Sequence, residues 1–257
     1  MKRRGLSCVA ALGAWLVVGA ADTLAGRGQT AGAAAPRPAA VPQPAAVPQP
    51  PAVRPPAASL ARPTTPSKVP DAAGFIRRWL VLEPMAVPPQ LGEVAVQALV
   101  KDARFADLLR ATPVDGQRAA VGDQQLAWHA LDTLGYNLNL FHFAYALGKP
   151  TSNVLFWTTT VVDAPSDIPN VRLAIGSNAA SVWWLNGDEV IGLYNDRQTV
   201  IDDGVSRRVT LKKGANVIRA AIVNGGGATD FCARFLDERG NPVKGFTTRT
   251  AAQDAAR

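Results

Sequence analysis

Cysteine and histidine are both scarce in this chain of 257 residues, which contains two of each. Cys8 falls in an apolar N-terminal stretch, so Cys232 is the only cysteine in the rest of the chain. An internal disulfide framework is therefore excluded there, and the fold must depend on an ordinary hydrophobic core. We interpret Cys232 as a small buried hydrophobic residue, with an intermolecular or reactive thiol as the alternative.

The shortage of histidine also restricts the chemistry open to the chain, because nucleophilic catalysis needs a base near its nucleophile. His129 follows Trp128 in a predicted strand, and His142 stands between Phe141 and Phe143. We interpret both histidines as structural. No Gly-x-Ser-x-Gly, His-x-x-x-His or Cys-x-x-Cys spacing occurs, so no catalytic residue and no metal ligand is assigned. We predict that the chain is not an enzyme; a hydrolase acting alone is the alternative, and it would need two facing carboxylates or a histidine bonded to a serine.

Acidic residues are missing from 26–70, where five basic side chains occur. Twelve prolines fall between residues 36 and 70, and Ala-Ala-Val-Pro-Gln-Pro occurs at both 39–44 and 45–50. Proline favours extended polyproline II, and such a composition buries too little apolar area to fold. We predict that 26–70 is a disordered, semi-rigid spacer, with a docking motif for proline-binding domains as the alternative.

The N-terminus is typical of a secretory signal peptide. Lys2, Arg3 and Arg4 precede an uncharged apolar run at 5–18, and small residues follow it. This run is shorter than the ~20 residues that span a bilayer. We predict a signal peptide over 1–25, with an uncleaved anchor as the alternative. The protein is then secreted or lies in the periplasm or cell envelope of a bacterium, with no membrane span after cleavage.

The formal net charge of +7 does not extend to the region predicted to fold. Residues 71–257 contain 19 basic and 19 acidic side chains, so the excess lies in the N-terminal part. Nucleic-acid binding normally needs a basic face on the domain, and we exclude it here. The basic spacer is suited to lie against anionic polymer of the cell surface.

The remaining chain is predicted to form short strands separated by turns, which indicates a mostly β fold. The predicted strands cover 75–82, 126–131, 138–147, 154–162, 171–177, 182–185, a return strand from 190, 205–211, 217–223, 231–236 and 243–246. Helical spacing occurs over 91–111, with a break near Asp102. We predict an antiparallel β-sandwich or jelly roll over 71–247 with one inserted helical segment, followed by a disordered tail over 248–257.

The strongest local pattern lies at 171–187, where two predicted strands are joined by small residues. We predict that these strands form a hairpin. The second strand ends in Asn186-Gly187, a pair that tolerates the positive φ of a tight reversal, and a return strand is predicted to follow.

The candidate binding site begins with two adjacent tryptophans, Trp183 and Trp184. Neighbouring side chains of a strand point to opposite faces, so both cannot enter the same core layer. We predict that Trp184 is exposed and stacks on a sugar ring; burial beneath the 91–111 helix is the alternative. The next loop offers polar partners, and the predicted ligand-binding residues are Trp184, Tyr194, Asn195, Asp196 and Arg197.

Seven short runs follow the order found in galactose-binding-like jelly rolls. They are Phe-Ile-Arg-Arg-Trp-Leu-Val-Leu-Glu-Pro at 75–84, Pro-x-x-Gly at 113–116 with Trp128 beyond it, Ala-Tyr-Ala at 144–146, Leu-x-Ile-Gly-Ser at 173–177, Trp-Leu-Asn-Gly-Asp-Glu-Val at 184–190, Leu-Lys-Lys-Gly-x-Asn at 211–216, and Asn224 with Phe-x-x-Arg at 231–234. Over 75–246 the chain resembles the sugar-binding-type domain attached to glycoside hydrolase family 2 enzymes and to exported bacterial esterases and hydrolases. The resemblance implies the fold more firmly than a ligand, because many such domains are spacers or docking modules.

The chain departs from that pattern where Asn-Ala-Ala-Ser at 178–181 replaces the usual acidic residue, which weakens a polar or metal role for the loop. We expect that no catalytic domain is attached. We expect an exported, non-catalytic carbohydrate-binding-like module on a proline-rich spacer, with carbohydrate or cell-envelope polymer as its partner. The alternative is a structural or protein-interaction module that docks an envelope or secreted hydrolase. No cofactor is expected; structural calcium at Asp196, Asp202 and Asp203 is the alternative to a solvated loop.

Overall fold

The computed structural model describes residues 60–250. The predicted signal peptide, the spacer as far as residue 59 and the tail from residue 251 lie outside these residues. The strands are β1 (Leu60–Ala61), β2 (Arg78–Leu82), β3 (Met85–Ala86), β4 (Arg118–Val121), β5 (Gln124–Thr133), β6 (Leu138–Asn139), β7 (Val154–Ala164), β8 (Ile168–Ser177), β9 (Ala180–Leu185), β10 (Asp188–Leu193), β11 (Gly204–Val205), β12 (Val209–Leu211), β13 (Gly214–Asn224), β14 (Asp230–Leu236) and β15 (Thr247–Arg249). The helices are α1 (Glu93–Val100) and α2 (Leu140–Ala146), with a short 3-10 helix at Ala103–Phe105.

The strands form two antiparallel sheets, so the predicted β-sandwich is confirmed. The larger sheet has the order β1-β5-β2-β7-β13-β9-β10, with β3 and β15 pairing β7 and β4 pairing β5. The smaller sheet has the order β11-β8-β14-β6, with β12 pairing β8. The long central strands β7 and β13 pair through eleven successive residues, from Gly214 with Ala164 to Asn224 with Val154. This pairing is the rigid centre against which the other elements pack.

Two hydrophobic cores lie on opposite faces of the larger sheet. The first lies between the sheets, where Trp79 and Trp183 of the larger sheet meet Phe231 of β14 edge to face, with ring centroids 4.9 and 5.4 Å from that of Phe231. The second lies on the other face, beneath α1 and the 3-10 helix. The central strands are therefore buried on both faces, which explains their nearly continuous apolar runs.

The helical segment breaks at the predicted position. α1 ends at Val100, and the Asp102 side chain accepts a hydrogen bond from the backbone N–H of Arg104 at 3.0 Å, which begins the 3-10 helix. Val96, Val100 and Phe105 are buried in the second core. Among residues 60–250, neither helix has the length and apolar character needed to cross a membrane.

The predicted pairing of the two strands in 171–187 is wrong. β8 pairs with β14 in the smaller sheet, whereas β9 pairs with β13 and β10 in the larger one. The chain passes from one sheet to the other at Asn178 and Ala179, and Ala179 has a left-handed φ of 61°. The second reversal is a hairpin as predicted: Asn186 and Gly187 take φ values of 54° and 93° between the paired Leu185 and Asp188.

The strand predicted over 138–147 is also wrong, because most of this stretch is helix α2. Asn139 caps the helix by accepting the backbone N–H of His142 at 2.7 Å. Leu140, Phe143 and Ala144 are buried, which is the i, i+3, i+4 spacing of one helical face. The structure therefore has a second helical element beyond the one that was predicted.

Residues outside the bounds predicted for the folded region, 71 and 247, also form backbone hydrogen bonds. β1 pairs β5, and the backbone groups of Lys68 and Thr248 exchange hydrogen bonds at 2.9 and 2.7 Å. The predicted closing strand over 243–246 is wrong: β15 begins at Thr247, and Phe246 packs edge to face on Phe235. The strand predicted over 205–211 is divided into β11 and β12.

Candidate functional site

The predicted stacking residue Trp184 lies in the second core. Its side chain is 6% exposed, and its ring stacks on Trp157 at a centroid distance of 5.5 Å and an interplanar angle of 20°. Adjacent Trp183 enters the first core on the opposite face of β9, as strand geometry requires. Trp184 therefore has no open ring face for a sugar, and the alternative, burial beneath the helical segment, is what the structure shows.

Tyr194 and Asn195 fasten the next loop to the helical segment. The Tyr194 hydroxyl accepts a hydrogen bond from Gln97 of α1 at 2.7 Å, and its ring packs against the second core. The backbone N–H of Asn195 donates to the carbonyl of Leu91 at 2.7 Å, and Asn195 has a left-handed φ of 69°. The side chain of Asn195 remains exposed.

Asp196 is exposed, whereas Arg197 is half-buried and forms an ion pair with Asp203. Asp202, the next carboxylate, binds Arg234 of β14. The carboxylates considered for calcium are thus mostly engaged by arginines. Within residues 60–250, no group of three or more histidine, cysteine, aspartate or glutamate side chains comes together in a way that could hold a metal ion.

An aromatic and polar surface does exist on the outer face of the smaller sheet. Alternate residues of β14, such as Phe231, enter the first core, which leaves Asp230 and Arg234 on the outside. Tyr136, which precedes β6, is 43% exposed, and its ring rests on Phe75 at 5.3 Å. We call the group Tyr136, Asn137, Asp202, Asp230 and Arg234 the Tyr136 surface.

Hydrogen bonds hold the polar groups of the Tyr136 surface in place. Asn137 Nδ2 donates to Asp230 Oδ2 at 2.5 Å, and the Thr199 hydroxyl donates to Asp230 Oδ1. A carboxylate has about four acceptor positions, so Asp230 keeps acceptor capacity for a ligand. The connection between β10 and β11, which carries the predicted binding residues Tyr194, Asn195, Asp196 and Arg197, contributes to this surface through Thr199 and Asp202.

Arg234 connects the aromatic and the acidic parts of the surface. Its guanidinium lies 4.9 Å from the Phe75 ring centroid, donates to Asp202 at 2.9 Å and to the Ala73 carbonyl at 3.0 Å. The hydrogen bonds to Asp202 raise the pKa of Arg234. The charges of Arg234 and Asp202 cancel one another. The surface therefore presents planar hydrogen-bonding groups without a large excess of charge.

The contact given for the His129 ring is with a carboxylate and not with a serine hydroxyl: its Nε2 lies 3.4 Å from Glu83 Oε1. Both histidines line one cavity beside α2, a proximity that the sequence did not predict.

Tyr136 and Asn137 were not among the predicted site residues, and the reason is local. Because 138–147 was predicted as a strand, the turn before it that exposes Tyr136 was not recognised. Asn139 as a helix cap, followed by apolar residues at helical spacing, was the sequence signal for α2.

The fold and this surface define a β-sandwich module with an exposed aromatic and polar patch. No protein-family model matches the chain, and a search of curated proteins gives no significant match. The PA14 domain of the antifreeze protein MpAFP is 12% identical, with 75% of this chain and 100% of that domain covered and a TM-score of 0.40. The A domain of epithelial adhesin 9 from Candida glabrata, in complex with Galβ1-4GlcNAc, is 12% identical, with 76% and 98% covered and a TM-score of 0.40.

A third similar structure is the β-glucosidase from Kluyveromyces marxianus in complex with glucose. It is 16% identical, with 68% of this chain but only 18% of the enzyme covered, and the TM-score is 0.37. At such low identities and TM-scores, these likenesses carry no argument about function. The resemblance to the family 2 glycoside hydrolase domain remains a prediction.

Proposed function

We propose that this chain is an exported, non-catalytic carbohydrate-binding module, displayed on the proline-rich spacer that precedes β1, and that it binds saccharide at the Tyr136 surface. The observation that carries the proposal is the exposed ring of Tyr136, which packs on Phe75. Beside it lies the carboxylate of Asp230, which can accept further hydrogen bonds. Pyranose rings present apolar C–H faces that stack on aromatic rings, and their hydroxyls bond to planar polar groups. Asn195 and Asp196 extend from the same loop that supplies Asp202.

Tyr145 provides a matched control for Tyr136. It is 46% exposed and stacks on Phe141 at 6.2 Å, so it is also a surface tyrosine braced by a phenylalanine. The hydrogen-bonded carboxylate and amide beside Tyr136 distinguish the two positions. Replacing either tyrosine by alanine should therefore disturb the fold to a similar and small extent.

The experiment is a glycan array probed with the full mature chain, followed by titration of the best saccharide. We expect Tyr136→Ala to weaken binding about tenfold, the loss of one aromatic contact. Asp230→Asn should also weaken binding, while Tyr145→Ala should leave it unchanged. An array without binding, or equal affinity for Tyr136→Ala and the unaltered chain, would contradict the proposal.

A second candidate function is docking to an envelope or secreted hydrolase. Three apolar side chains near the Asp202 turn favour it: Val200, Ile201 and Val205 are 58%, 44% and 42% exposed. Contiguous exposed apolar residues mark interaction surfaces. If this function is correct, Ile201→Asp should abolish co-purification of the hydrolase and leave saccharide titrations unchanged.

A further inference from the structure

A separate cavity of about 220 Å³ lies between α2 and β5. Leu131 of β5 and Phe143 of α2 form its inner wall, and both are buried. Leu60 and Leu147 add to the apolar lining. An apolar cavity of about 150 Å³ is known to hold benzene, so this one accommodates a compact ligand of roughly eight to ten heavy atoms.

The polar side chains that line this cavity are all basic. His129, His142 and Arg62 line it, and no carboxylate is among the lining residues. Glu83 lies 3.4 Å from the lining residue His129 and also pairs with Lys149 at 3.1 Å.

The charge of Glu83 is already matched. Its burial disfavours ionisation, but hydrogen bonds from Lys149 and His129 outweigh this and lower the pKa of Glu83. Glu83 and Lys149 therefore compensate one another. Arg62 is exposed and forms no ion pair with any residue of 60–250, so it remains as the excess positive charge at the cavity.

We propose that this cavity binds a small aliphatic carboxylate, with an apolar body of about five carbons against Leu131 and Phe143 and its carboxylate on Arg62. The guanidinium fork matches a carboxylate with two parallel hydrogen bonds. A ligand amine would be repelled by Arg62, and a neutral ligand would gain no charged hydrogen bond from it. The cavity shares no residue with the Tyr136 surface, so each proposal can fail alone.

The test uses the full chain and three probes of equal chain length: hexanoate, hexanol and hexylamine. Affinities are measured by calorimetry, with ligand-observed NMR for the weakest. We expect hexanoate to bind about tenfold more tightly than hexanol, the effect of one charged hydrogen-bonded contact. Hexylamine should bind most weakly. Equal affinity for hexanoate and hexanol would overturn the proposal.

Two variants locate the site. Arg62→Met should weaken hexanoate about tenfold and leave hexanol unchanged. Ala146→Trp should block all three probes, because Ala146 is exposed at the cavity on the last turn of α2. Ala98→Trp, on an exposed position of α1, is the matched control and should alter none of them. Unchanged hexanoate affinity in Arg62→Met, or in Ala146→Trp with intact circular dichroism, would refute the assignment.

Discussion

The buried ion pair between Arg78 and Asp132 connects residues 60–70 to the folded domain, and its removal tests that connection. Arg78 is 1% exposed, and its guanidinium donates to both oxygens of Asp132 at 2.8 and 2.9 Å. It also donates to the carbonyl of Thr65 at 2.6 Å, while Lys68 donates to Asp132 at 3.0 Å. Thr65 and Lys68 both lie in the region predicted as spacer. The pair therefore ties that region to β2 and β5.

We expect Arg78→Met to lower the free energy of unfolding by about 3 kcal/mol at pH 7. Removing one partner of a buried pair costs about 3–5 kcal/mol, and the remaining contact with Lys68 places this case at the low end. For a domain of this size, the melting temperature should fall by roughly 6–12 °C. Urea denaturation followed by tryptophan fluorescence measures the change. Arg207→Met is the matched control, because Arg207 and Asp188 form an exposed pair at 3.6 Å, which contributes about 0–1 kcal/mol.

The pH dependence supplies an independent check. Burial disfavours ionisation of Asp132, but hydrogen bonds from Arg78 and Lys68 outweigh it and lower its pKa. A carboxylate with a lowered pKa in the folded state contributes stability above its unfolded pKa of about 3.9. That contribution is lost as the pH falls through the folded pKa. The difference between Arg78→Met and the unaltered chain should therefore shrink below about pH 4. A cost below about 1 kcal/mol at pH 7, or a cost equal to that of Arg207→Met, would refute the reasoning.

Three further predictions concern the cores and the outer face. Trp184→Ala should lower the free energy of unfolding by about 3–5 kcal/mol in urea denaturation, because it leaves a cavity beneath α1; unchanged stability would contradict its burial. Gly176→Ala should cost about 1–3 kcal/mol and weaken saccharide binding, because the added Cβ would lie 2.2 Å from the Val200 carbonyl oxygen and displace the turn that carries Asp202. Burial raises the pKa of Cys232 to about 12, so a disulfide reagent at pH 8 should label it only after unfolding; rapid labelling of the native chain would be the opposite result.

Strands and tight turns followed from local chemistry. Alternating or continuous apolar runs between turn residues were enough to place β7, β13 and β14. The pair Asn186-Gly187 defined a reversal because few other residues adopt positive φ in succession. The break in the helical segment followed from Asp102, whose side chain caps the next turn. Each of these features depends on residues that are neighbours in the chain.

Pairing and exposure did not follow from local chemistry. Nothing in 171–187 distinguishes a hairpin from a crossing between sheets, because the turn residues Asn178 and Ala179 suit both. The aromatic stretch at 138–147 fits a strand by propensity, yet packing of Leu140 and Phe143 on the first core makes it helical. The error concealed the tyrosine on which the proposed binding surface depends.

The sequence by itself determined a β-rich domain, one helical segment, and the fact that Trp183 and Trp184 face opposite ways. Only the tertiary structure decided that both tryptophans are buried, because α1, which covers Trp184, comes from a part of the chain some eighty residues away. Likewise, Phe75, Tyr136, Asp202 and Arg234 meet only when distant strands and loops are brought together. Exposure and clustering are properties of the packed whole, and no local pattern of residues encodes them.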